Sequence, residues 1–247
     1  MATVAREVIE QFKAEATRTG AVVYEAEDAA AANNCVLSLA QGRNARHVVK
    51  SKSVLAEAIG LREHLESAGI EVKETDLAEW IAQLAGRTSA HMAGPTAHKT
   101  IEQVAELISK ATGEELEPAP QVLLSAARRV LRQSCIEADM GITEADIGIA
   151  ETGTTVMLGN EGNARLVAVL PAVHVTLIDC ERIVPTMEEA TRRLELLTKK
   201  SADPKMPSYV TYITGRNTTG DIPQALMARA QGPAEEHIVL VHGAVSK

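Results

Sequence analysis

The sequence predicts an α/β fold: a mostly parallel sheet covered by helices, with a β-hairpin or meander segment. Three observations carry that expectation. Strand-length runs alternate with amphipathic helical stretches through the first third of the chain. The 247 residues hold one Trp, one Phe and three Tyr, so the core is built from Ala, Val, Leu and Ile, which suits packed α/β layers. Between Ile147 and Pro185, two polar turns interrupt apolar, β-branched runs: Glu151-Thr-Gly-Thr154 and Asn160-Glu-Gly-Asn163.

Val4 to Thr17 has helical spacing, with Val4, Val8, Ile9 and Phe12 on one face. Ala21 to Tyr24 reads as a short strand, Asp28 to Ala40 as an Ala-rich helix, and His47 to Lys50 as a second strand. Val54 to Ala68 reads as one amphipathic helix closed by Gly69 at the position where a glycine ends a helix. Ile70 to Thr75 is a third strand, and Asp76 is placed to cap a helix through Leu84. Gly86 to Lys99 is irregular and polar, and Thr100 to Ala111 is helical. Residues 113–120, with two prolines and several acids, read as a surface linker before a long helix from Val122 to Ala138. Beyond the central strands come a helix from Met187 to Thr198, a strand from Tyr209 to Thr214, a loop to Asp221 and a last strand from His237 to Val241. The expected organisation is an N-terminal helix (1–20) on a single α/β domain (21–247).

Composition narrows the function. The net charge of −8 opposes a general phosphate-backbone or anionic-membrane role. Few aromatics argue against nucleic-acid binding by base stacking. No run of about 18 apolar residues is present, so no membrane span is expected. The N-terminus lacks the apolar core of a signal peptide. Cys35, Cys135 and Cys180 form no CxxC pair, which gives no local zinc or iron–sulfur signature, and an odd, sparse count fits a reducing cytoplasm. No metal site is expected.

Several polar groups are placed for chemistry, each with a plainer alternative. Lys50, Ser51, Lys52 and Ser53 lie where a strand hands over to a helix. Ligands of open α/β sheets collect at such ends, and two lysines with two hydroxyls suit a phosphate or carboxylate; otherwise this is a solvated turn capped by Ser53. His91 and His98 flank a Gly94-Pro95 turn, as acid–base groups, metal ligands or surface histidines. Glu151 suits a base, a hydroxyl-orienting group or a cation ligand, and Gly153 allows close approach of a ligand; the alternative is a hairpin turn. Glu161, Gly162 and Asn163 are more turn-like still. Arg165 can clamp a carboxylate or pair with Glu161. His174 alternates with Val173 and Val175, facing a cleft or serving structure.

Taken in order, VVKSKS, ETDLAEWIAQLAG, SAHMAGPTAHKT, GIAETGTTVMLGNEGNARL, LPAVHV and IVPT resemble the LUD domain of the lactate-utilisation protein B family, from about Val22 to Val241. The resemblance implies a NagB/RpiA/CoA-transferase-like fold and a part in oxidising L-lactate to pyruvate with partner iron–sulfur redox proteins. It carries over, as motif positions, Lys50, Ser51, Lys52, Ser53, Glu74, Asp76, His91, His98, Glu151, Thr152, Gly153, Thr154, Glu161, Gly162, Asn163, Arg165 and His174. The family usually has Gly where this chain has Ala78. Its B-type members continue into a region whose clustered cysteines hold iron–sulfur clusters, and this chain has none of them. No cluster is therefore expected here, the cofactor is left open, and the chain is a free-standing LUD protein or a domain of a longer one.

The expectation is thus a lactate-utilisation component that binds a small anion between the Lys50–Ser53 and Glu151–Thr154 turns. Lys50, Lys52 and Arg165 would hold the anion, and Glu151 or His174 would accept the proton. Two alternatives stand beside it: a non-catalytic docking or metabolite-sensing module, and a transferase or ligase acting on a phosphorylated or CoA-like substrate.

Overall fold

The computed structural model describes residues 5–86, 99–200, 206–216, 218–222, 225–228 and 231–243. The chain runs α1 (Arg6–Arg18), β1 (Val22–Ala26), α2 (Ala29–Gly42), β2 (His47–Lys50), α3 (Val54–Ala58), α4 (Leu61–Ser67), β3 (Glu71–Glu74) and α5 (Leu77–Leu84). It continues through α6 (Ile101–Thr112), α7 (Pro120–Glu137), β4 (Met140–Glu144), β5 (Ile147–Ile149), β6 (Thr154–Gly159), α8 (Asn163–Val169) and β7 (Val173–Asp179). A single 3₁₀ turn then leads to β8 (Ile183–Val184), α9 (Met187–Lys200), β9 (Tyr209–Thr214), β10 (Thr218–Ile222), β11 (Ala225–Ala228) and β12 (Glu235–Val241).

Six strands form one all-parallel sheet in the order β1-β12-β7-β4-β2-β3. The mostly parallel, helix-flanked architecture expected from the sequence is what forms. One face carries Val48, Met140, Ile142, Val175, Leu177 and Val239 against α2, α3 and α4. The opposite face is divided. Ile178, Ile238 and Leu240 pack under Ile9, Phe12 and Ala16 of α1, and Val49 packs with Cys135 of α7 and Val167 of α8. Between these apolar patches runs a buried polar strip: Thr143, His174, Thr176 and Glu236.

A second sheet, β8-β5-β6-β9, is mixed. Its outer face buries Ile147, Ile149 and Val156 against Ala190 and Leu194 of α9. Its inner face comes so close to the first sheet that a Cβ at Gly148 would lie 2.8 Å from Ile178 Cδ1. Hydrophobic burial on both faces of each sheet supplies the main driving force.

Four local readings change. Val54 to Ala68 is two helices, because Gly60 adopts a left-handed conformation (φ 67°) between them, which interrupts the helix as glycine readily does. The apolar run after Asn163 is the short helix α8, where a strand was expected. It lies on β4 where Gly141 has no side chain: a Cβ there would sit 2.0 Å from the Val167 carbonyl oxygen. The expected loop to Asp221 contains β10, which pairs antiparallel with β11. The last strand begins earlier, at Glu235.

Candidate functional site

The motif residues fall into two groups. The first gathers at the carboxyl ends of β2, β3 and β4. The chain leaves β2 toward β3 on one side, and β4 returns on the other side of β2, so the strand order reverses here. Such a reversal opens a crevice in α/β sheets. Lys50 is 2 % exposed and its Nζ lies 2.9 Å from Glu74 Oε2. Burial raises the Glu74 carboxyl above its usual range, against the pull of Lys50. Ser53 caps α3, accepting from Ala56 N at 2.9 Å and donating to Glu144 Oε2 at 2.7 Å. Glu144 also accepts from Leu55 N and pairs with Arg182 at 2.5 Å. Ser51 is buried, and its carbonyl accepts from Lys50 Nζ at 3.2 Å. Lys52 is exposed, 3.7 Å from Glu79. Asp76 caps α5 through the N–H groups of Ala78 and Glu79, so alanine at position 78 keeps that bond.

The Asn160–Asn163 turn reaches this same end: Asn163 Nδ2 donates to Thr75 Oγ1 at 3.4 Å. The Glu161 carboxyl is raised by partial burial and by Asp76, with Lys52 opposing. Glu161, Gly162 and Asn163 line a cleft of about 450 Å³ whose other wall is α7, with Arg128 and Arg132.

The second group surrounds a cleft of about 320 Å³ between the two sheets, lined by Arg165, Arg216, Thr211, Thr214 and Glu236 among others. Glu236 is only 2 % exposed yet reaches it. One of its oxygens lies 2.7 Å from His174 Nδ1, and the other accepts from Thr176 Oγ1 at 3.2 Å. His174 Nε2 lies 2.8 Å from Thr143 Oγ1. Because an ionised carboxylate only accepts, the Nδ1 proton belongs toward Glu236, and Nε2 accepts from the threonine hydroxyl. Arg165 stacks on Tyr209, its Cζ 5.1 Å from the ring centroid. Neither Arg165 nor Arg216 makes an ion pair among the described residues.

The Glu151–Thr154 turn divides its labour. Thr152 Oγ1 donates to Thr154 Oγ1 at 2.7 Å, and Thr154 bonds Thr214 at 2.8 Å, so the hydroxyl chain ends at a residue of the inter-sheet cleft. Thr155, next in β6, is 1 % exposed, and its hydroxyl has no hydrogen-bond partner among the described residues. Glu151 is exposed and accepts from Met187 N at 2.6 Å, which holds the start of α9. Gly153 (φ 64°) lies against α1, where a Cβ would be 2.1 Å from Ala16 N. Among the described residues, no hydrogen bond or ion pair joins this turn to the Lys50–Ser53 turn. His91 and His98 lie outside the described residues.

Glu236, Arg216, Arg128 and Arg132 were not legible as site residues. Glu236 sits in front of the run that reads as the last strand, and Arg216 lies in a Gly/Asn/Thr loop. The one available signal was the helical spacing of Arg128 and Arg132, four residues apart on an otherwise apolar face. The cysteines occupy three separate packing clusters and offer no shared ligand set for an iron–sulfur group. Burial pushes Cys135 to about 11 and Cys180 to about 12. Glu25, Glu27 and His242 bring potential ligand atoms within 4.8 Å. Glu25 already accepts from Lys13 at 2.7 Å, pairs with Arg6 and lies 2.8 Å from His242. Burial alone would raise it, but these partners outweigh burial and hold it at about 2.

The family model described as the LUD domain matches residues 9–241. The chain belongs to the LUD domain family. It is 38% identical over 232 residues to lactate utilization protein B of Geobacillus sp. (strain WCH70), covering 94% of this chain and 47% of that protein. It is 36% identical over 239 residues to the protein of that name from Oceanobacillus iheyensis, covering 97% and 48%, and 35% identical over 232 residues to that from Bacillus subtilis (strain 168), covering 94% and 47%. The chain thus spans about half the length of these relatives. A crystal structure of a DUF162 family protein from Deinococcus radiodurans has the same fold, with a TM-score of 0.53 at 14% identity over 96% of this chain and 99% of that one. Among the described residues, no helix is long and apolar enough to cross a membrane.

Proposed function

We propose that this LUD domain serves lactate utilisation by binding a small 2-hydroxy or 2-oxo carboxylate in the cleft between its two sheets. The relatives' shared name supplies the process, and Glu236 supplies the chemistry. It is a carboxylate buried in a hydrogen-bonded strip, yet it lines the same cleft as two arginines that have no ion-pair partner among the described residues. A 2-hydroxy acid has a carboxylate for Arg165 and Arg216 and, one carbon away, a hydroxyl for Glu236. Guanidinium groups suit planar carboxylates because they donate two parallel bonds.

Oxidation of such an acid removes the hydroxyl proton and a hydride from the adjacent carbon. Glu236, backed by His174 and Thr143, accepts the proton as the C–O double bond forms. The hydride would go to a two-electron organic acceptor bound by a partner, which would then release its electrons one at a time to the iron–sulfur redox proteins of a multi-component system. Relative to the site expected from sequence, Arg165, His174, Thr152 and Thr154 remain in this assignment. Glu151 moves to a supporting role at α9.

Calorimetric titration with pyruvate and L-lactate tests the assignment. Arg165→Ala and Arg216→Ala should each weaken binding by about tenfold or more, the usual loss for a charge-assisted hydrogen bond. Glu236→Gln should weaken L-lactate more than pyruvate, because only the hydroxyl donates. A wild-type domain that binds neither acid, or three variants that bind both as the wild type does, would overturn it.

A further inference from the structure

The larger cleft, beside the Lys50 turn, is separate from the carboxylate site. A stacked pair links the two: Tyr209 lines the larger cleft and Arg165, stacked on its ring, lines the smaller one. The size of the larger cleft, about 450 Å³, is within the range of small-ligand sites. It opens at Thr75, directly beyond the carboxyl end of β3 and hydrogen-bonded to the last residue of β2. This is the end of the sheet at which ligands of α/β folds collect.

Its lining is polarised. Arg128 and Arg132 stand one helical turn apart on α7, and neither makes an ion pair among the described residues, whereas the neighbouring Arg129 is paired with Glu114 at 2.6 Å. Leu77, Leu131, Leu166 and the Tyr209 ring supply apolar lining. Glu161 and Asn163 provide acceptors on the side opposite α7.

Two guanidiniums one helical turn apart suit a phosphate, whose three oxygens can accept from both. Leucine walls and a tyrosine ring suit a flat apolar body. The Glu161 carboxylate repels an anion and accepts from hydroxyl or N–H groups, so it sets the opposite pole. We propose that this cleft binds a mononucleotide-like ligand, a phosphate monoester carrying a planar ring. Its phosphate lies on Arg128 and Arg132, its ring lies between the leucines and Tyr209, and its hydroxyl or N–H groups face Glu161. This assignment does not depend on the carboxylate site.

The test uses the whole chain with AMP and FMN as probes, and with adenosine, riboflavin and inorganic phosphate as controls. Trp80, the one tryptophan of the chain, packs with Leu77, Ala127 and Leu131, which also line the cleft, so its emission reports occupancy alongside calorimetry. At least one mononucleotide should bind about tenfold or more tightly than either its dephosphorylated form or phosphate alone. Arg128→Ala and Arg132→Ala should each reduce that affinity by about tenfold, while Arg129→Ala should keep it within about twofold. The proposal is overturned if neither mononucleotide binds, if phosphate alone binds as well, or if Arg129→Ala costs as much as its neighbours. Loss of pyruvate binding with nucleotide binding intact would count against the first site alone.

Discussion

The Lys50 turn and the inter-sheet cleft both gather charged side chains at strand-associated loops, but they hold them in opposite ways. At the Lys50 turn the charges are closed on one another: Lys50 on Glu74, Ser53 on Glu144, Glu144 on Arg182. At the inter-sheet cleft, Glu236 is anchored on its inner side by His174 and Thr176, while Arg165 and Arg216 have no ion-pair partner among the described residues. The lysine- and serine-rich turn thus has its polar groups matched inside the protein, whereas the cleft presents two arginines that have no ion-pair partner among the described residues. Charge in a sequence does not say whether its partner is already inside the protein.

The largest expected effect tests the closed half of that contrast. Removing one partner of a buried ion pair leaves an uncompensated charge, so Glu74→Ala should cost about 3–5 kcal/mol in urea unfolding. The double replacement Lys50→Met with Glu74→Leu should recover most of that, since matched apolar groups often substitute well. A cost below about 1 kcal/mol for Glu74→Ala, the level of a surface pair, would mean that the turn is not held by this pair.

Next in size is Asp146, in the link between β4 and β5, which accepts from Leu158 N of β6 at 2.8 Å. Burial lifts its carboxyl to about 6 despite that bond and nearby Arg182. Its folded pKa lies above its unfolded one, so the native state holds the proton more tightly. This group therefore favours the fold most below about pH 4, and that advantage is lost as pH rises through about 6. Asp146→Asn should stabilise the protein at pH 7 by on the order of 2–3 kcal/mol and flatten the pH 4–6 stretch of the stability profile. Unchanged pH dependence in the variant would show that the carboxyl is not buried as described.

The smallest effects belong to the open half. Arg216→Ala, at an exposed residue with no ion pair among the described residues, should change stability by no more than about 0.5 kcal/mol, and Arg165→Ala by no more than about 1 kcal/mol for its stacking on Tyr209, while both weaken carboxylate binding. A large stability loss at either position would place these arginines with the Lys50 turn, as structural groups.

The contrast also explains what could be read from the chain. Strand β2, the Ser53 and Asp76 caps and helix α5 were legible because each depends on neighbours a few residues away. Helix α8 was not: its apolar run is too short for periodicity to separate helix from strand, and its place is set by Gly141, more than 20 residues earlier. The break at Gly60 hid inside a regular apolar pattern. The site followed the same rule. Arg165 and His174 are legible as motif residues, but Glu236, which gives His174 its partner, stands 62 residues later. Only the pairing of β12 with β7 brings them together.

That pairing bears on how the protein is made. Strand β12 lies inside the six-stranded sheet, between β7 and β1, and among the described residues β1 has no other neighbour there. Synthesised from the amino end, the first strand emerges long before the strand it must pair with. Until β12 emerges, β7 presents an unpaired edge that invites wrong partners. Closing contacts this distant in sequence slows folding, and the strand that joins β7 to β1 is also the one that carries Glu236.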